Sequence, residues 1–170
     1  MKQYVVFLLL IILGCDTPRI VSTAVPGLDF GSYKTYQITE AQNKADITHP
    51  AYDNDSNRAV MIESIRNEMA KLGLDYQLQA PDLLVVYNLV ITDMVDPRYD
   101  SAVIYKPWVD TRLDSFNYTE GLMTIKLIDY ESSEMVWQGS VTGILDRSPE
   151  KFKQNIKKDV AKIFATLPSR

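Results

Sequence analysis

The chain predicts an α+β two-layer sandwich: a mostly antiparallel sheet of four to six strands with two helices packed on one face. Three observations lead there. Two segments carry a one-sided apolar stripe at helical spacing, Ile62, Ile65, Met69 and Leu72 in one, and Phe152, Ile156, Val160, Ile163, Phe164 and Leu167 in the other. Between them stand β-branched or alternating runs at 83–92, 122–130 and 135–145. The last two runs are joined by only Glu131-Ser132-Ser133-Glu134, a connection short enough for an antiparallel hairpin. Helices with one apolar face each, beside such a sheet, bury that face by packing against it.

The chain opens with Met1-Lys2, continues through the apolar run Val5–Leu13 and reaches Gly14-Cys15. A bilayer-spanning helix needs about 20 apolar residues, whereas a signal-peptide core needs roughly 7–15. No A-x-A-like site of an ordinary secretory signal follows. Ile12-Leu13-Gly14-Cys15 instead has the form of a lipobox, cut before a cysteine that then carries lipid, although leucine is commoner at the place of Ile12 and a small residue at that of Leu13. Cys15 is the only cysteine in the 170 residues, so no second thiol competes for it. The expected organisation is a lipoprotein signal peptide (1–14), a lipidated tether (15–27) and a single α+β domain (28–170). The net charge of −4 argues against a nucleic-acid partner and against an electrostatic grip on anionic headgroups. Membrane attachment is therefore expected through the lipid on Cys15.

The domain's elements follow in order. Tyr33, Thr35 and Tyr36–Ile38 favour a strand of about five residues. Residues 39–57 read as a polar loop. The first helix has Asp55 or Ser56 to cap its start, Lys71 in its last turn and Gly73 at its end. Leu83–Thr92 is almost wholly apolar, which predicts a strand buried on both faces, with Asn88 at an edge or toward solvent. In 122–130, Met123, Ile125 and Leu127 share a face. In 135–145, Met135, Trp137, Gly139 and Val141 alternate with Val136, Gln138, Ser140 and Thr142. Ser148-Pro149 opens the last helix and Pro168 ends it. Its lysines read as a solvated face.

Four short motifs resemble one family. Val21-Ser22-Thr23, Asp29-Phe30 and Tyr33-Lys34-Thr35-Tyr36 are similar to the opening of the domain-of-unknown-function 4136 family of bacterial envelope lipoproteins. Pro81-Asp82-Leu83, then Leu127-Ile128-Asp129 with Val136-Trp137-Gln138-Gly139, and the closing Leu167-Pro168 resemble its later signatures. The resemblance implies an envelope lipoprotein, with the outer membrane as its site, and carries over no catalytic residue. One departure stands out: where relatives are rich in Gly and Tyr, Met94–Tyr118 is rich in Asp and has no glycine.

That middle segment is where the sequence places a site. It holds Tyr99, Tyr105, Trp108, Phe116 and Tyr118 among several aspartates. The aromatics can anchor a protein partner, or stack on sugar rings beside carboxylates, or pack on the sheet around an extra strand at 103–105. No metal site is expected. Asp93, Asp96 and Asp100 are spaced for one helix face, but Pro97 opposes a helix there. No calcium loop is present. An enzyme is not expected either. His49 is the only histidine, and Gly139-Ser140-Val141-Thr142-Gly143 departs from the G-x-S-x-G form and lies mid-strand. Gly139 and Gly143 read as room for packing or a bulge. The expectation is a lipid-anchored, non-enzymatic interaction or scaffolding domain of the envelope with no cofactor. A glycan-binding or glycan-processing accessory lipoprotein is the alternative.

Overall fold

A computed structural model describes residues 18–40, 48–98, 114–145 and 148–168. Cys15, Tyr99, Tyr105 and Trp108 lie outside the described residues. The elements run β1 (Arg19–Ala24), a 3-10 turn at Phe30–Ser32, β2 (Thr35–Glu40), α1 (Asp55–Lys71), β3 (Asp75–Tyr76), β4 (Leu83–Arg98), β5 (Asp114–Asp129), β6 (Met135–Ile144) and α2 (Pro149–Phe164). They form one six-stranded sheet in the order β1-β6-β5-β4-β2-β3, with both helices on one face. The antiparallel pairs are β1 with β6, β5 with β6, and β4 with β5. β2 runs parallel to both β3 and β4, so the sheet is mixed. Residues 19–24 of the expected tether thus form an edge strand of the sheet.

The core sits between the sheet and the helix pair. Leu83 and Val85 of β4, Ile125 and Leu127 of β5, and Trp137 of β6 meet Met61, Ile65 and Met69 of α1 and Ile156, Val160 and Ile163 of α2. All eleven are essentially inaccessible to solvent. β4 departs from expectation. Leu83, Val85, Tyr87 and Ile91 are buried, but Leu84, Val86 and Asn88 are half-buried and Val90 is exposed. An apolar run reads alike for one buried face or two, and here both helices sit on the same side. Val90 lies opposite Leu122, which is also exposed.

Local chemistry explains the ends. Asn54, one residue before the expected caps, starts α1 from an extended backbone and accepts from the Asn57 N–H at 3.0 Å. Its own amide donates to the Pro50 carbonyl, which fixes it in that place. Gly73 follows the helix at φ +72°, the left-handed conformation expected of it. In β6 the strict alternation fails at a bulge between Leu127 and Ile128, whose partners are Trp137 and Met135. Val136 is the extra residue, so it and Trp137 are both buried.

The middle segment is in part strand. β4 continues to Arg98 and β5 begins at Asp114, so Met94–Arg98 and Asp114–Tyr118 pair with each other. β2 leaves the ladder at Glu40, opposite Tyr87, and β6 at Ile144, opposite Glu120. Beyond those points, among the described residues, β4 and β5 form a two-stranded ribbon that outruns the rest of the sheet. Pro97 fits because a ribbon strand has a side with no ladder bond to lose. The strand reading at 103–105 lies outside the described residues.

Candidate functional site

Of the five aromatics singled out from sequence, two are in the described ribbon. Phe116 stands in register with Asp96, and Tyr118, half-buried, with Met94, which is exposed. Tyr118 and Met94 share the face turned away from the helices, since paired residues lie on one side of a sheet. Asp93 and Asp96 belong to a strand and not to a helix, which removes the helical spacing that suggested a metal cluster. Among the described residues no group of three or more His, Cys, Asp or Glu side chains converges on one point.

The ribbon's base is tied down on the helix side. Asp93 accepts the Thr119 hydroxyl at 2.9 Å across the ladder and meets His49 Nε2 at 3.2 Å. The imidazole is largely enclosed and its Nδ1 lies 2.8 Å from the Thr48 hydroxyl. The sole histidine thereby joins the loop before α1 to the ribbon. Four residues on, Asp53 is buried and holds Arg58 through two parallel bonds of 2.6 and 2.8 Å. Asn57 donates to the Tyr52 carbonyl at 2.8 Å, and the Tyr52 ring meets Phe152 edge-on. Residues 48–54 of the expected polar loop thus form a hydrogen-bonded platform joining α1, α2 and the ribbon.

At the opposite end of the sheet the structure unites three motifs that are far apart in sequence. Asp82 Oδ2 accepts from the N–H groups of Lys34 and Thr35 at 2.7 and 2.8 Å, and the Asp82 N–H donates back to the Thr35 hydroxyl. The Tyr33 hydroxyl donates to Asp129 Oδ2 at 3.1 Å. Asp129 Oδ1 in turn accepts from the Ser132 N–H and hydroxyl, which closes the β5–β6 turn. The Lys34 and Thr35 N–H groups hold the Asp82 carboxyl below the usual carboxylate range, and the Ser132 N–H does the same for Asp129. Burial first, then the Asp129 carboxylate, pushes the Tyr33 phenol up. A shallow cavity of about 350 Å³ opens beside these groups. Each carboxylate oxygen named is engaged by the fold, so the motifs bind the chain to itself. In the sequence Pro81-Asp82-Leu83 stands out only by its resemblance to a family signature. The signal in it is an aspartate placed to cap the start of a parallel neighbour strand.

Asp82→Ala is expected to cost about 1–2 kcal/mol, the usual loss when a carboxylate capping two backbone N–H groups is removed. A depressed carboxyl stabilises the fold above its unfolded pKa, and that contribution is lost as pH falls through the lower folded value. Stability should therefore decline from about pH 4 downward, and Asp82→Asn should flatten the decline. Urea unfolding between pH 2 and 7 checks both. An unchanged slope in the variant would remove Asp82 from the account.

Ser140 is mid-strand, and its hydroxyl faces the Val21 carbonyl at 3.4 Å, so no strand-to-helix elbow surrounds it. A Cβ at Gly139 would lie 2.6 Å from Ile163 Cγ2 and 2.7 Å from the Trp137 ring, so this glycine is packing room, as its place in the sequence suggests. Gly143 meets only Pro18, at ordinary distance.

The model of the family "Domain of unknown function (DUF4136)" matches residues 20–169. Among solved structures, a DUF4136 family protein from Bacteroides thetaiotaomicron is similar, with 13% identity, a TM-score of 0.51, and coverage of 89% of this chain and 96% of that one. A PDZ domain protein from Parabacteroides distasonis is similar at 16% identity and a TM-score of 0.53, over 89% of this chain. The chain spans only 36% of the length of that second protein. These likenesses concern the fold. A search of curated proteins finds no match.

Proposed function

This chain belongs to the DUF4136 family, and on that premise we propose that it is a lipid-anchored domain of the bacterial cell envelope that binds a protein partner and performs no catalysis. The β4–β5 ribbon carries this reading. It outruns the sheet, is braced at its base by Asp93, Thr119 and His49, and presents Met94 and Tyr118 on the face left open by the helices. Tyr99, Tyr105 and Trp108 belong to the connection between its strands. Aromatics on a braced projection are suited to anchoring a partner. The polar clusters support the non-catalytic reading, because their carboxylates are spent on backbone N–H groups, hydroxyls, Arg58 and His49.

Attachment through a lipid on Cys15 follows from the lipobox, and an outer-membrane site from the family resemblance. No cofactor enters the reading. Crosslinking in whole cells should recover one specific protein, and Tyr105→Ala combined with Trp108→Ala should reduce its yield severalfold without changing thermal stability. Equal recovery with the double variant would displace the ribbon from the role. Glycan binding is the second reading of the same aromatics. A glycan array probed with the purified chain tests it, and uniform blanks would end it.

A further inference from the structure

The first residues of the described structure border a cavity that neither the family nor the ribbon accounts for. It has a volume of about 720 Å³ and lies between α2 and the ribbon end of the sheet. That volume is within the range of small-molecule sites. Its floor is apolar: Leu89, Met123, Val141, Leu145 and Phe152. Two glycines create the space. A Cβ on Gly121 would strike Leu145 Cδ2 at 2.7 Å, and Gly143 leaves the floor open toward Pro18. The rim is charged and mainly basic. Lys158 and Lys162 are one helical turn apart on α2, and Arg19 comes from β1. Glu120 and Asp159 are the acidic members. Asp159 is engaged by Lys162 at 3.4 Å and also lies in the field of Lys158, so the rim sets three cations, Arg19, Lys158 and Lys162, against two carboxylates. The net acidity of the whole chain conceals this local excess of cations. Pro18, on the cavity wall, is three residues from Cys15 in sequence.

An apolar trough with a cationic rim has the chemistry of one ligand class. We propose that the cavity binds an anionic amphiphile, its acyl chain over Leu89 and Leu145 with the buried Met123 and Val141 beneath, and its phosphate or carboxylate head at Arg19 and Lys158. The inference rests on the lipid-anchor reading only for the ligand's source: a domain tethered beside Pro18 holds this opening next to a bilayer. An anionic phospholipid and a free fatty acid share the chemistry.

The test uses the full chain and phosphatidylcholine vesicles doped with a phosphatidylglycerol whose acyl chain bears a diazirine. After irradiation, adducts should map to the peptides holding Leu89 and Leu145. The same diazirine chain on phosphatidylcholine should label them about tenfold less, as should Lys158→Gln with Lys162→Gln, the usual consequence of losing charge-assisted bonds. Those two exposed lysines can be changed without disturbing the core. Gly143→Phe should abolish labelling by filling the trough, with circular dichroism showing that the fold is kept. Competition by palmitate at unchanged adduct positions would place the free acid in the same class. Adducts confined to other surfaces, or labelling unchanged by both variants, would overturn the proposal. Cys15→Ser separates the two readings. Cavity adducts that persist when acylation is shown never to occur would leave the site standing and remove the anchor, and the reverse pattern would do the opposite.

Discussion

Trp137→Ala is expected to lower the stability of the domain by about 3–5 kcal/mol, the range for deleting a large aromatic from a packed core. Trp137 is wholly enclosed, lies over Gly139 and packs against Phe164 of α2, with ring centroids 5.7 Å apart and planes tilted by 37°. It therefore joins the centre of the sheet to the last turn of the last helix. One term reduces the loss: the indole N–H is buried without a hydrogen-bond partner among the described residues, and removing such a donor recovers part of its desolvation cost. The lower half of the range is the better expectation.

Gly139→Ala probes the same contact from beneath. The new methyl would lie 2.6 Å from Ile163 Cγ2 and 2.7 Å from two atoms of the Trp137 ring. A β-branched methyl and a fused ring cannot swing aside cheaply, so about 1–3 kcal/mol should be lost. The two changes should not add, because removing the indole relieves half of the clash, and a double-mutant cycle should show coupling of at least about 0.5 kcal/mol. Urea unfolding of the four proteins measures it. Additivity would mean that the ring and Gly139 do not share the contact. In a domain with a total stability of about 5–15 kcal/mol, either single change should be visible as reduced yield.

The second large effect concerns location. Cys15→Ser is expected to abolish incorporation of an acyl label and to move the protein from the membrane pellet to the soluble fraction. Each buried CH₂ contributes about 0.8 kcal/mol, so one acyl chain binds marginally and several bind for practical purposes permanently. Nothing else described offers comparable hold. No helix among the described residues is long and apolar enough to cross a membrane. The cavity beside Pro18 would give the Cys15→Ser protein a weak, charge-dependent affinity for anionic vesicles, which an alkaline salt wash removes. Retention in the washed pellet, with no acyl label on the wild-type protein, would contradict the anchor.

Much of the fold was legible because its determinants are local. Ile65 and Met69 lie on one helical face, Gly73 is the residue that tolerates φ +72°, and Met123, Ile125 and Leu127 alternate in a strand with one buried side. What was not legible depends on partners. β3 has two residues and no pattern of its own; it exists because Tyr76 follows α1 to the edge of β2, where its ring meets Tyr36 and the Arg66 guanidinium. The parallel pairing of β2 with β4 leaves no signature at either strand. The ribbon was hidden because Thr92, Asp93, Thr119 and Glu120 interrupt the apolar alternation, while backbone bonds between β4 and β5 continue regardless. The clasp at Asp82 was half visible. Its motif was recognisable, but the two N–H groups it holds are 47 and 48 positions away.

The pairing of β1 with β6 sets an order of events. Val21 and Ser140 are 119 positions apart, and β1 finds its whole set of ladder partners between Trp137 and Thr142. Closing so long a loop is slow, and contacts this distant in sequence form late. The first strand to be made is thus the last that can be paired. Until Thr142 has been synthesised, residues 19–24 lack their ladder partners, an interval in which whatever handles this part of the chain meets it unpaired. Completion of β6 ends that interval by locking the start of the chain to the finished sheet.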